Sequence, residues 1–204
     1  MPLNHLEKFR DLREKNAVLI KEAKEGGRKV VGIYCTYCPR ELVLAAGAIP
    51  VSLCGTREAP IAHAERELPR NLCPLIKSSY GFALTDTCPF FHFSDLVIGE
   101  TTCDGKKKMF ERLHRLKEVH VMNLPNSADT AASLTLWHGE MIRLKSRLEA
   151  FLRVSITEEK LREAIHLVNE EKRALKDLYD LNRRKPALLS GLDMMMASFQ
   201  AGFH

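Results

Sequence analysis

Three short apolar, β-branched runs, each delivering a cysteine just past its end, constrain this chain more than any other feature. Val30-Val31-Gly32-Ile33-Tyr34 leads into Cys35, Ile49-Pro50-Val51-Ser52-Leu53 into Cys54, and Leu96-Val97-Ile98-Gly99-Glu100-Thr101-Thr102 into Cys103. Each run reads as a short buried strand, and helical pattern lies between successive runs. Strands joined by helices lie parallel, with their carboxyl ends on one edge, and open α/β sheets bind ligands at that edge. Thiols far apart in sequence therefore converge, which points to a metal or iron–sulfur site.

The rest of the chain extends this pattern. Residues 4–25 read as a charged amphipathic helix with Leu6, Phe9, Leu12, Leu19 and Ala23 inward, closed by Gly26-Gly27. A strand over 29–34 follows, then a helix over 40–46 opened by Pro39 and closed by Gly47. A second strand covers 49–53, a polar stretch runs to Arg70, a helix covers 72–84, and 86–93 reads as a loop. The third strand, 95–101, leads into a helix over 106–117, and the fourth, 118–124, stops at Pro125. The expected fold is α/β: a Rossmann-like parallel sheet of about four strands with flanking helices, followed by a helical section.

Beyond Asn126 the period changes from two to 3.6. Trp137, Met141, Leu144, Leu148 and Phe151 form one helix stripe; Leu161, Ala164, Ile165, Val168, Leu175 and Leu178 form another, capped by Thr157 and ended by Pro186. An apolar tail, Leu188 to Phe203, reads as a helix made to pack on something. The domain reading is an N-terminal helix (1–28), an α/β cluster-binding domain (29–125) and a helical section (126–204).

Composition narrows the function classes. The chain has 204 residues, 45% hydrophobic and 28% charged, with a net charge of +5. That charge suits acidic small molecules or partners, and with aromatics at 7% no basic, aromatic-interleaved stretch marks a nucleic-acid platform. The first ten residues lack the apolar core of a signal peptide, and the longest apolar run, Leu42 to Val51, is too short to span a bilayer. A cytoplasmic location is expected, where the six cysteines stay reduced and serve as ligands rather than bridges.

Cys35 and Cys38 form a C-x2-C pair, which alone fits zinc, a redox pair or chance. A structural zinc site wants a second close couple, and none exists; His63 and His92 would give only an unpatterned mixed site. Cys38, Cys73 and Cys88 are each followed by proline, a step that recurs in cluster-binding loops. Cys54, ending an apolar strand, reads as a small buried hydrophobe.

Four blocks taken together resemble a known family. They are Tyr34-Cys35-Thr36-Tyr37-Cys38-Pro39-Arg40-Glu41-Leu42, Ala45 to Val51, Leu68-Pro69-Arg70-Asn71-Leu72-Cys73-Pro74 continuing to Gly81, and Ser94 to Met109 with its Thr101-Thr102-Cys103-Asp104-Gly105-Lys106-Lys107-Lys108-Met109 run. This set resembles the 2-hydroxyacyl-CoA dehydratase D-component family, which includes benzoyl-CoA reductase subunits and double-cubane cluster proteins. The resemblance implies an oxygen-sensitive iron–sulfur cluster, [4Fe-4S] or double cubane, held by Cys35, Cys73 and Cys103, with Cys38 and Cys88 as accessory thiols of open role. It implies a radical dehydration of 2-hydroxyacyl-CoA to enoyl-CoA, started by one electron from an ATP-dependent activator protein. The alternatives are a double-cubane-type reductase of small molecules, a benzoyl-CoA reductase-like subunit, a zinc-stabilised module without activity, or an inactive truncated chain. Family chains are about twice this length and carry a second, related α/β domain, so either this sequence is a fragment or another chain completes the site. The expectation is therefore a second subunit or a homodimer mate, with the apolar tail as interface.

Other residues carry two readings each. Glu41, in the first turn after Pro39, either complements the helix dipole or is a catalytic carboxylate near the cluster, poised for proton transfer. Lys106, Lys107 and Lys108 read as a solvated helix face rather than as contacts for CoA phosphates or the activator, and His92 and His138 as structural. Thr101 and Thr102 could bond cluster sulfur. No phosphate-binding glycine loop of the P-loop or dinucleotide type is present, so ATP hydrolysis and NAD binding by those routes are not expected.

Overall fold

Short apolar runs rich in branched residues, near-continuous in β1 and β3, build the four strands, and the computed structural model, which describes residues 5–201 but not the side chains of 5–11, 13 and 14, places them in one parallel sheet. In chain order the elements are α1 (His5–Glu25), β1 (Val30–Tyr34), α2 (Arg40–Ala45), β2 (Ile49–Leu53), α3 (Ile61–Ala64), α4 (Pro74–Thr85) and α5 (Pro89–Phe93). Then come β3 (Leu96–Glu100), α6 (Asp104–Leu113), β4 (Val119–Met122), α7 (Ala131–Leu152), α8 (Glu158–Leu181) and α9 (Gly191–Gln200). The sheet order is β2-β1-β3-β4, with Val30 opposite Ile49, Gly32 opposite Val97, and Ile98 opposite His120.

The pleat sorts the core into two halves. Val30, Tyr34, Val51, Leu53 and Val97 face one layer with Ile20 of α1, Ile76 and Tyr80 of α4, Phe90 of α5 and Phe110 of α6. Val31, Ile33, Leu96, Ile98 and Met122 face the other, with Leu42 and Val43 of α2, Leu144 and Leu148 of α7 and Ala164 of α8. The result is a three-layer α/β/α sandwich to which the C-terminal helices contribute a share of the core. Gly99 is required by packing: a Cβ there would lie 2.4 Å from the Phe110 ring.

The order also creates a switch point. The chain leaves β1 toward β2 on one side and β3 toward β4 on the other, so the loops after β1 and β3 flank a crevice at the carboxyl edge.

Several local expectations need correction. The 86–93 segment is not wholly loop, because Pro89 starts α5 with its ring at the first helical position. The polar stretch before Arg70 includes the short helix α3. Among the described side chains of α1 the buried ones are Asn16 and Ile20, whereas Leu12 and Leu19 are exposed. The expected inward side chains Leu6 and Phe9, like Phe203 of the tail, lie outside the described residues. Ile165 is exposed, since the buried line of α8 runs through Ala164 and Val168. The tail forms α9, which begins with a Ser190–Asp193 capping box and packs on α1 and α8. Met194 is buried by that packing, while Leu188, Leu192 and Met195 remain exposed.

Candidate functional site

The first turn of α6 touches the segments that carry the other two cysteines of the motif blocks at the carboxyl edge. Cys103 occupies the N-cap position of α6, with extended φ of −157° and an exposed side chain. Gly105, two residues on, packs against the loop and helix that carry Cys73: a Cβ at Gly105 would meet Leu72 Cδ1 and Ile76 Cδ1 at 2.8 Å. Cys73 is itself the N-cap residue of α4, held extended by Pro74, and it too is exposed. Lys77 steadies that approach, donating from Nζ to the Arg70 carbonyl at 2.6 Å and to Glu65 at 2.7 Å. One residue past Gly105, the Lys106 ammonium contacts Cys35 Sγ. Cys35 follows β1 directly, exposed and in the left-handed region at φ +74°, a strained conformation for a residue with a Cβ.

Negative charge on Cys73 or Cys103 meets the positive end of a helix dipole, and on Cys35 it meets the Lys106 ammonium. No disulfide joins any of the six cysteines. Among the described residues, no three His, Cys, Asp or Glu side chains stand close enough to hold a metal ion, so the thiols share a rim rather than a closed cage.

The remaining cysteines sit differently. Cys38 is 6% exposed in the core with Leu42 and Val43, and burial raises its thiol above the usual range, with Glu100 adding to the effect. Cys54 is half-buried and lines, with Cys35 and Lys106, a cleft of about 280 Å³. Cys88 caps the start of α5 and packs, half-buried, against the core layer of Phe90. Glu41 lies in the first turn of α2, where its carboxylate pairs with Lys172 of α8 at 3.3 Å. Thr101 Oγ1 accepts the Leu124 N–H at 2.8 Å, tying the ends of β3 and β4 together. His92 pairs with Asp86 at 2.8 Å and is exposed.

Two functional candidates escaped the sequence reading. Glu100 is wholly buried, its Oε1 accepting the Cys38 N–H at 2.6 Å, and its Oε2 is buried with no partner. Desolvation holds its carboxyl above the usual carboxylate range, against the Cys38 and Tyr37 N–H bonds and the Lys106 charge, which act the other way. The signal was present: Leu96, Ile98 and Glu100 share one face of β3, so the pleat puts a carboxylate where an apolar residue is due. Lys106 is buried and not part of a solvated face, unlike Lys107 and Lys108, which pair with Asp104 and Glu111.

A parallel α/β domain with exposed thiols at its switch-point edge defines a Rossmann-like, cysteine-bearing component. The family model for the 2-hydroxyglutaryl-CoA dehydratase D-component matches residues 35–204, and the chain belongs to that family. It is 51% identical over 197 residues to YjiM of Escherichia coli (strain K12), whose name proposes a dehydratase subunit, covering 97% of this chain and 51% of that one. It is 24% identical over 180 residues to a benzoyl-CoA reductase subunit of Thauera aromatica, covering 86% of this chain and 46% of the other. The beta subunit of (R)-2-hydroxyglutaryl-CoA dehydratase from Acidaminococcus fermentans is 22% identical over 188 residues, covering 90% and 49%. The chain spans about half the length of the curated relatives it matches. Among the described residues, no helix is long and apolar enough to cross a membrane.

Proposed function

We propose that this chain is an iron–sulfur component of a radical 2-hydroxyacyl-CoA dehydratase, with Cys35, Cys73 and Cys103 as the protein ligands of the cluster. The observation that supports the reading most is that α6 begins at Cys103 and its first turn touches the segments carrying the exposed Cys35 and Cys73, through Lys106 on Cys35 and Gly105 against Leu72 and Ile76. The donor types suit the group: three exposed cysteine side chains, two at helix N-termini and one against an ammonium, are the sulfur ligands such clusters take. When bound, such a cluster supplies single electrons at low potential, delivered here by an ATP-dependent activator protein.

The chain's own residues do the rest. Lys106 sets a fixed positive charge against Cys35, and Glu100 holds the backbone of the Tyr37–Cys38 segment through its N–H groups. Glu41, which pairs with Lys172, is assigned in this reading as the carboxylate for proton transfer. Cys38 and Cys88 are assigned as accessory thiols, Cys38 neutral while it remains buried. Relatives named as subunits support a partner chain, either a second subunit or a second copy.

Anaerobic reconstitution with ferrous iron and sulfide tests the reading. Iron and acid-labile sulfide are expected in equal amounts, lost in Cys35→Ala, Cys73→Ala and Cys103→Ala and retained in Cys54→Ala. Stoichiometric zinc without labile sulfide would refute it. The loaded protein, given activator, ATP and reductant, should convert a 2-hydroxyacyl-CoA to the enoyl-CoA. A second reading, a low-potential reductase, is favoured by the comparable identity to a benzoyl-CoA reductase subunit. Substrate reduction without loss of a hydroxyl in the same assay selects it.

A further inference from the structure

Beside the cysteine rim lies a second concavity, a crevice of about 750 Å³ beyond the ends of β3 and β4, walled by the start of α7. Tyr37, on the loop between Cys35 and Cys38, lines it, as does Thr102, the residue before Cys103. Leu124 of the loop after β4 and Leu134 and Trp137 of α7 supply apolar walls. Two segments of the cysteine rim thus line the crevice, and an occupant would lie beside Cys103.

The lining has a chemical character. Hydroxyl and amide groups alternate with apolar surface, and no Asp, Glu, Lys, Arg or His lines the crevice among the described residues. Neutral polar groups can be hydrogen-bonded there, whereas a carboxylate or phosphate would lose water and find no cation. The volume falls within the range of small-ligand sites and exceeds the need of a short acyl group alone. Acyl–pantetheine matches on every count, being a long arm of neutral amides and methylenes ending in a thioester.

We propose that this crevice seats the acyl–pantetheine end of an acyl-CoA whose acyl side chain is uncharged. The inference rests on the dehydratase reading above and adds the substrate class: aliphatic or aromatic 2-hydroxyacyl groups in preference to dicarboxylic ones. The phosphates of CoA stay outside, since no described residue lining the crevice carries a cation to pair with them.

Trp137 is the sole tryptophan of the chain, so its fluorescence reports the site directly and needs neither activator nor turnover. Titration of the full chain with 2-hydroxy-4-methylpentanoyl-CoA should give a saturable change. The 2-hydroxyglutaryl thioester should bind at least tenfold more weakly, and free CoA should give no change. Calorimetric titration with the same ligands guards against a silent fluorophore. Leu134 is exposed, so Leu134→Arg should fold and load iron normally, and it should invert the preference toward the dicarboxylic thioester. Equal affinity for both thioesters, a response to free CoA, or no binding by either method overturns the assignment. Failure of the iron and sulfide assay would instead strike the dehydratase reading, so the two failures are told apart.

Discussion

Glu100 Oε1 accepts the backbone N–H of Cys38 at 2.6 Å, so a carboxylate at the end of β3 fixes the loop that leaves β1. The same carboxylate takes the Tyr37 N–H, and Lys106 of α6 supplies its countercharge. Strand, loop and helix are coupled through one buried acid, and Cys35 lies within the coupled segment. Burying a carboxylate is costly unless its partners are retained, and here one oxygen has none. Such a group is better explained by what it holds in place than by stability.

Replacement of Glu100 should separate those roles. Glu100→Ala leaves the Tyr37 and Cys38 donors without their acceptor and should destabilise the fold by about 1–3 kcal/mol for each donor stranded. Glu100→Gln keeps an acceptor oxygen and should stay within about 1 kcal/mol of the parent. Urea unfolding measures both, and alkylation of Cys35 should speed up in the alanine variant alone. Equal losses in the two variants would show that the charge, not the acceptor geometry, matters.

Lys106 makes a second, independent prediction. A positive charge beside a ligated thiolate favours the reduced, more negative cluster, because fixed charges in a partly buried site are weakly screened. Lys106→Met preserves much of the buried stem and removes the charge, so the reduction potential of the reconstituted cluster should move to more negative values. Lys106→Arg should hold close to the parent. A potentiometric titration followed by electron paramagnetic resonance reads the shift, and identical potentials in all three proteins would remove Lys106 from the site.

The sheet was legible because Val30–Tyr34, Ile49–Leu53, Leu96–Glu100 and Val119–Met122 each carry branched apolar residues between breakers, a local signal. Cys35 and Cys103 were legible for a related reason, since topology fixes where strands end, whereas Cys73, at the start of α4, follows no strand and came only with the family resemblance. Lys106 was not. Its neighbours Lys107 and Lys108 are solvated, and only the approach of α6 to Cys35, a tertiary fact, turns one lysine of three inward. Glu100 lay between: its off-pattern place in a buried strand was visible, but its two N–H partners come from a loop more than sixty residues away. Leu12 and Leu19 of α1 were misplaced for want of their neighbours, because Asn16 and Ile20 are buried by contacts that the helix sequence does not announce.

The last prediction concerns acid stability. His120 in β4 is 8% exposed, faces α7, and has a buried Nε2 without a hydrogen-bond partner. Desolvation and the Arg143 guanidinium push its pKa down to about 4, with Glu140 opposing. Between that value and the ordinary 6.5 the unfolded chain binds a proton that the folded chain refuses. Stability contributed by His120 is therefore complete above pH 6.5 and is lost as the pH falls toward about 4, at roughly 1.4 kcal/mol per unit and about 3 kcal/mol in all. Asp95 and Glu140, whose carboxyls are held below the usual range, also weaken the fold in acid, so the test is a difference. Subtracting the urea stability of His120→Gln from that of the parent at each pH should leave a curve that falls from pH 6.5 to pH 4 and is flat above pH 7. A flat difference across the whole range would mean that His120 accepts its proton in the folded protein as easily as in the unfolded one.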